Sequence, residues 1–310
     1  MRRLLPLLLL LPAAAQAQVE PSKLYQGVDR DFEVRVRIPR DGKAALVWGR
    51  PDGSKISEIT VKAGKVELSR AFPEFWNTVP KTVTYVQLRV DGKGVGAPLV
   101  LQPMNNPVIS KLAADGKTVE FVPDEDQAFA GYRVYVAKNL LLETSFGKME
   151  FRLRPDCAPN TAFNIMQFVE GGLYDETIWH RVVAKRPDGT AFVIQGGDPA
   201  GSGSGGPGFA YALEKSPLEH KFGTVSIARS TDPNTNGCQL FVCLSRAGTK
   251  HLDGRYASFG EMIQGKEAVL KTAAVPVGKD DRPNDPPKIL RAKLVLAAPW
   301  GEEKAPLGEP

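Results

Sequence analysis

The chain is poor in the residues on which most enzyme chemistry depends. Three cysteines in 310 residues, Cys157, Cys238 and Cys243, cannot make a disulfide framework, and three histidines, His180, His220 and His251, leave little material for a metal site. No metal and no cofactor is expected. Lys plus Arg exceed Asp plus Glu by only 40 to 35, spread along the chain, which argues against nucleic acid as a partner. Long hydrophobic runs are also missing: the stretch Leu4 to Leu11 falls far short of the roughly 18 residues that span a bilayer. No membrane span is expected in the mature protein. That stretch does have Arg2 and Arg3 before it and Ala15-Gln16-Ala17 after it, the layout of a secretory signal peptide cleaved after Ala17. Residues 1–17 therefore read as a leader, and the protein as exported, either periplasmic or secreted. With the leader gone, 38 basic residues face 35 acidic ones, because Arg2 and Arg3 leave with it. At 42% hydrophobic and 24% charged, the remainder is an ordinary globular composition, long enough for two domains.

From residue 20 to 137 the pattern is all-β. Phe32, Val34, Val36 and Ile38 alternate with charges, Ala44 to Trp48 runs apolar, and Val83 to Val90 is rich in β-branched residues. Asp41-Gly42, Pro51-Asp52-Gly53 and Asp91-Gly92 supply the turns between such runs. Short strands with punctuation at this spacing predict a β-sandwich of immunoglobulin-like size. Trp48 and the cluster Phe72, Phe75 and Trp76 are its candidate core. A surface partner for this domain stays open, and the segment Pro107 to Val136 either completes the sandwich or links it onward.

Residues 138–298 change to a mixed pattern. Leu140 to Glu143 and Met149 to Leu153 read as strands joined at Phe146-Gly147. Pro159 can open a helix, where its missing N–H costs nothing, and Ala162, Ile165, Met166 and Val169 recur at helical spacing before Gly171-Gly172 ends it. Further strands are expected at Ile178 to Val183, Phe192 to Gln195, Gly223 to Ala228, Gln239 to Leu244 and Ile289 to Leu296, with a second helix over Lys266 to Ala273. Two helices and about eight strands suggest a barrel plugged by helices. The tail, 299–310, is rich in Pro, Gly and Glu and is expected to be unstructured.

One motif match fails on context, and one cysteine pair reads as structural. Gly201, Gly203 and Gly206 satisfy G-x-G-x-x-G, but Pro207-Gly208 stands where a dinucleotide fold would start its helix. Cys238 and Cys243 lie five apart on one expected strand, on opposite faces, and read as buried structural residues.

What remains is a series of segments in one order: Thr144-Ser-Phe-Gly147, Ala158-Pro-Asn-Thr161, Trp179-His-Arg-Val-Val183, Phe192-Val-Ile-Gln-Gly-Gly-Asp198, Ser226-Ile-Ala-Arg229, Asn234-Thr-Asn-Gly237 with Gln239-Leu-Phe241, and Leu252-Asp-Gly254 with Phe259-Gly260. Together, over about residues 139–298, they resemble the cyclophilin family of peptidyl-prolyl cis-trans isomerases. The resemblance implies a closed eight-stranded antiparallel barrel capped by two helices. It implies rotamase activity on X-Pro bonds, with proline-containing polypeptides as substrates. By the same resemblance Arg181 is the catalytic arginine, Gln195 its orienting partner, and Phe192, Val193, Phe241 and Leu252 the walls of a proline pocket. Gln239 matches a polar group toward substrate backbone, Ala228 and the backbone of Arg229 match the rim, and His251 and Tyr256 flank the pocket. His180, next to Arg181 on the strand, should point the other way and be structural.

The chemistry suits a chain without metal or thiol machinery. An X-Pro amide resists rotation because the nitrogen lone pair is delocalised into the carbonyl, and its exchange takes tens to hundreds of seconds. No bond is broken, so a catalyst needs only a fixed donor that draws the lone pair back to nitrogen and a pocket that grips the ring. The alternative from another class is a chaperone or binding protein that holds proline segments in the same pocket without turnover. Departures from the family pattern are His251 for a frequent Trp, Val193 for a frequent Met, Arg229 for a frequent Asn, and the long connection Ala184 to Ala191.

Overall fold

The structure, a computed structural model, describes residues 17–77, 82–106, 108–122 and 128–310. The expected leader therefore lies outside the described residues except for Ala17.

Alternation in the N-terminal third produces two antiparallel sheets. Val19–Pro21, Glu33–Val36 and Gly64–Glu67 form one of three strands. The other has seven and runs Tyr25–Gly27, Gly131–Val136, Leu99–Pro103, Thr84–Val90, Ala44–Gly49 and Lys55–Thr60, with Lys93–Gly94 on the side. Every second residue of Glu33–Val36 is buried, as half-buried strands require, and joins Trp48, Phe72, Phe75 and Tyr132 in one core. Trp48 can be fully buried because its indole N–H donates to Thr84 Oγ1 at 3.0 Å. The segment after residue 107 does two things. Gly131–Val136 completes the seven-stranded sheet, whereas Ile109–Leu112 and Val119–Val122 leave it as a separate hairpin.

Ala137 alone separates the last strand of that sheet from Lys138–Thr144, the first strand of another. This second sheet is antiparallel, with nine strands in the order Thr177–Ile178, Lys288–Leu296, Lys138–Thr144, Gly147–Leu153, Ser258–Gln264, Thr224–Ile227, Leu240–Cys243, Val193–Gly196 and Arg181–Val183. Its two end strands are consecutive in the chain and only Trp179 and His180 lie between them. The single strand expected over Ile178 to Val183 is thus interrupted, since Trp179 N–H turns away to Pro287 O at 2.8 Å. Ser258–Gln264 was not among the expected strands. The helices Pro159–Glu170 and Lys266–Ala273 stand where they were expected, and one-turn helices at Leu68–Ala71 and Arg246–Thr249 add to them. Ala158 offers no side chain to cap Pro159–Glu170; Glu214 does so from outside, accepting from Asn160 N–H at 2.9 Å and Thr161 N–H at 2.7 Å.

The tail overturns its expectation. Trp300 is buried beside Tyr85, with ring centroids 6.3 Å apart, and its backbone N–H donates to Gln87 Oε1 at 2.7 Å. Leu307 N–H then donates to Met262 O at 2.9 Å, and Glu309 Oε1 accepts from Arg246 N–H at 2.6 Å. Composition reads this segment as solvated, but one tryptophan with a slot to fill fixes it across both halves of the molecule. Gly49 makes that slot: a Cβ there would stand 2.1 Å from the Trp300 ring. The halves also meet at Tyr85 with Asp156, Gln102 with Asn160, and Ser110 with Asn234.

Candidate active site

The nine-stranded sheet carries two apolar clusters. The larger is its interior. The smaller consists of Val193, Phe241, Cys243 and Leu252, all buried, with Phe192, Ala228 and Tyr256 packed against them. Strand geometry makes the separation: alternate side chains face opposite sides, so Val193 and Phe241 join the small cluster while Ile194, Leu240 and Val242 enter the interior. The two cysteines divide in the same way, Cys238 inside and Cys243 in the small cluster, both free and fully buried. Burial pushes the Cys238 thiol up to about 11 and Cys243 higher still, so neither is a nucleophile at neutral pH.

Rings set the shape of this cluster. His251 stacks on Phe192 at 5.8 Å, and Arg186, from the long connection after Val183, places its guanidinium 4.9 Å from the same ring. Arg186 is held there by Gly248 O at 3.1 Å. Tyr256 meets Phe241 edge-on at 5.7 Å. The Arg229 guanidinium lies 4.5 Å over Tyr256 and donates to the carbonyls of Arg255, Ser230 and Thr231. Its side chain therefore braces the rim, while Ala228 N–H is tied to Gln239 O at 2.9 Å.

A line of polar groups runs beside the apolar cup. Arg181 pairs with Gln195 across adjacent strands, and its Nη1 donates to Gln195 Oε1 at 3.4 Å. Gln195 Nε2 donates in turn to Gln239 Oε1 at 3.1 Å, and Gln239 Nε2 reaches Gly203 O at 3.0 Å and Gly205 O at 2.8 Å. The glycine loop is fixed by Asp198, fully buried, which accepts from the N–H groups of Ala200, Gly203 and Gly205 and from Ser202 Oγ. Burial alone would raise the Asp198 pKa, but those donors outweigh it and hold the carboxylate below its ordinary range. G-x-G-x-x-G here serves backbone turns around a carboxylate and opens no helix.

Two groups escaped sequence reading. His220 is fully buried, its ring stacked 6.0 Å from Phe241, with Nδ1 3.0 Å from Asp253 Oδ1 and Nε2 3.0 Å from Ser226 Oγ. Burial lowers its pKa although Asp253 pulls the other way. Asp281 brings a carboxylate oxygen to 3.6 Å from Arg181 Nε. Neither stands in a local motif; both are joined to the site only by the fold. His180, expected to be structural, is buried with both ring nitrogens unpartnered among the described residues, and burial lowers its pKa. Among the described residues no group of three or more His, Cys, Asp or Glu is placed to hold a metal ion.

The structure thus gathers Phe192, Val193, Ala228, Phe241, His251, Leu252 and Tyr256 around one cup, with Arg181, Gln195 and Gln239 along its side. Comparison with known proteins places most of the second half of the chain in one family. The model of the family "Cyclophilin type peptidyl-prolyl cis-trans isomerase/CLD" matches residues 139–294. The chain belongs to that family. Peptidyl-prolyl cis-trans isomerase-like 1 of Gibberella zeae is 37% identical over 161 residues, covering 51% of this chain and 94% of the relative. Peptidyl-prolyl cis-trans isomerase ppi1 of Schizosaccharomyces pombe is 37% identical over 158 residues, 50% of this chain and 97% of the relative. A crystal structure of a cyclophilin-type isomerase from Cryptosporidium parvum, obtained in the presence of the dipeptide Ala-Pro, aligns with a TM-score of 0.46 at 32% identity, over 52% of this chain and 99% of that one. The protein is a cyclophilin-type peptidyl-prolyl cis-trans isomerase, mainly β with few helices, and that activity implies proline-containing substrates.

Proposed function

We propose that this isomerase acts on exported polypeptides and assists their folding outside the cytoplasm, with Arg181 as the group that works on the prolyl amide. Phe192, Val193, Phe241 and Leu252 grip the ring, with His251 and Tyr256 at its flanks. Ala228 and Arg229 form the rim, and Gln239 faces the substrate backbone. The observation that carries this reading is the small apolar cluster standing apart from the interior, with an arginine fixed beside it by Gln195.

Rotation requires the amide to lose its conjugation, so the nitrogen becomes pyramidal and basic at the top of the barrier. A guanidinium donor aimed at that nitrogen interacts with the twisted state more strongly than with either planar one, which is the condition for catalysis. An acceleration of about 10⁵ asks for roughly 7 kcal/mol, within reach of a charged donor in a sheltered site together with a pocket that holds the ring while the chain turns.

The architecture is read in the same way. A sheet whose end strands are separated by two residues, with a bridge between Ile178 and Asp198, is a barrel closed through one interrupted strand. The two sheets around Trp48 and Phe75 are an immunoglobulin-like sandwich, the domain of residues 20–137. The barrel domain spans 138–298, and the leader ends at Ala17.

A chaperone that only holds proline segments would share the cup. The pairing of Arg181 with Gln195 favours turnover, since gripping a ring needs no oriented cation. NMR exchange spectroscopy on an Ala-Pro peptide tests this: substoichiometric protein should produce cis–trans cross-peaks, whereas shifted peaks without exchange would leave the holding reading in place. Detection of a mature N-terminus at Gln18 in material recovered outside the cytoplasm supports export; an intact Met1 there would contradict cleavage.

A further inference from the structure

We propose that Asp281 is a positioning residue for Arg181, fixing its guanidinium together with Gln195. This rests on the reading of Arg181 given above. Asp281 Oδ2 lies 3.6 Å from Arg181 Nε, while Gln195 Oε1 takes Nη1 at 3.4 Å. The two partners therefore meet different nitrogens of the same guanidinium, Nε and Nη1.

The carboxylate reaches this place through unusual backbone. Asp280 has φ 58° and Asp281 φ 60°, two successive non-glycine residues in the left-handed region. Asp tolerates that region better than most residues, but such conformations persist only where the surroundings impose them. Here Gly278 N–H donates to Arg282 O at 2.8 Å, Asn284 N–H to Pro276 O at 3.0 Å, and Val277 bridges Pro283. Arg282 Nη1 donates to Gly201 O at 2.8 Å, in the loop whose Gly203 and Gly205 also anchor Gln239. Asp281 and the Gln195 relay therefore reach Arg181 from different elements and share one anchor.

The effect follows from side-chain freedom. Both partners are about half exposed, at 42% and 43%, so the ion pair adds little to stability. An arginine side chain has several soft torsions, and a donor free to leave its productive orientation loses the advantage of preorganisation. Contacts at Nε and Nη1 restrict that freedom before substrate arrives.

The test compares Asp281→Ala, Asp281→Asn and Arg181→Ala in the full chain, with kcat and KM measured separately on a proline peptide. Asp281→Ala should lower kcat about five- to tenfold with KM little changed, as expected for a misplaced catalytic donor. Asp281→Asn, which keeps the shape but not the charge that attracts Nε across 3.6 Å, should recover only part of that loss. In an Arg181→Ala background, which has no guanidinium to position, Asp281→Ala should have no further effect on the residual kcat. The Arg181 Nε–Hε NMR resonance should shift in Asp281→Ala while the backbone amide spectrum stays folded. Wild-type kcat in Asp281→Ala, or an equal loss in the Arg181→Ala background, overturns the proposal. If Arg181→Ala is itself fully active, the reading of Arg181 falls first, an outcome separate from an inactive Arg181→Ala with an unimpaired Asp281→Ala.

Discussion

Arg181 and Gln195 face each other across neighbouring antiparallel strands, and the 3.4 Å contact from Nη1 to Oε1 is the first link of a relay that ends in the glycine loop. Removing the middle of that relay should affect catalysis more than stability. Gln195→Ala is expected to lower kcat/KM by about tenfold, equivalent to about 1.4 kcal/mol of transition-state stabilisation. Its Tm should move by only a few degrees. Steady-state kinetics and thermal unfolding on the same sample check this; an unchanged kcat/KM contradicts the relay.

The cup predicts the opposite kinetic signature. Phe241 is buried between His220 and Tyr256, and shortening it to leucine opens space where the proline ring should sit. Phe241→Leu should raise KM severalfold and lower kcat less, because the grip is felt in the ground state as well. A lower kcat with KM unchanged would mean that Phe241 does not line the binding cup.

Acidity should destabilise the fold through its buried histidines. Burial lowers the pKa of His180 and His220, so the native state binds fewer protons than the unfolded chain, where histidine titrates near 6.5. Stability then rises with pH in this range. The contribution is complete above about pH 7 and is lost as pH falls through about 6.5 toward the lower native values. Thermal unfolding from about pH 7.5 down to 5 should show a falling Tm, and His220→Gln should flatten the slope. A Tm that rises on acidification in that window would contradict the burial of these neutral rings.

The docked tail gives a fourth expectation. Trp300→Ala removes a buried ring whose partners are Tyr85 and the Gly49 slot, and should cost about 3 kcal/mol or more. Gly49→Ala should also destabilise, since its methyl would overlap the same ring. Unchanged unfolding in both variants would place Trp300 in solvent.

Much of this was legible wherever local pattern decides structure. Lys266–Ala273 has the expected ends, and Gly265 before it, at φ 108°, turns the chain out of the preceding strand. The residues of the small apolar cluster come together from separate segments, which periodicity alone does not reveal. Ser258–Gln264 was missed because Gly260 and Glu261 do not read as buried strand. Gly260 is there because a Cβ would stand 2.9 Å from Val225 and 3.0 Å from the Arg152 carbonyl oxygen, and Glu261 is buried against the guanidinium groups of Arg152 and Arg154. Asp281, His220 and the docked tail were hidden for one reason: each acquires its role from a partner far away in sequence.

The most direct measurement is a protease-coupled assay of cis-to-trans exchange on an X-Pro peptide, comparing the wild type with Arg181→Ala at matched folded concentration. The wild type should accelerate exchange well above the uncatalysed rate, and Arg181→Ala should lose about a hundredfold or more of kcat/KM, as removal of a single preorganised donor typically does. Equal acceleration by the two proteins would contradict the role of Arg181, and no acceleration by either would leave the cup as a site that holds proline without turning it.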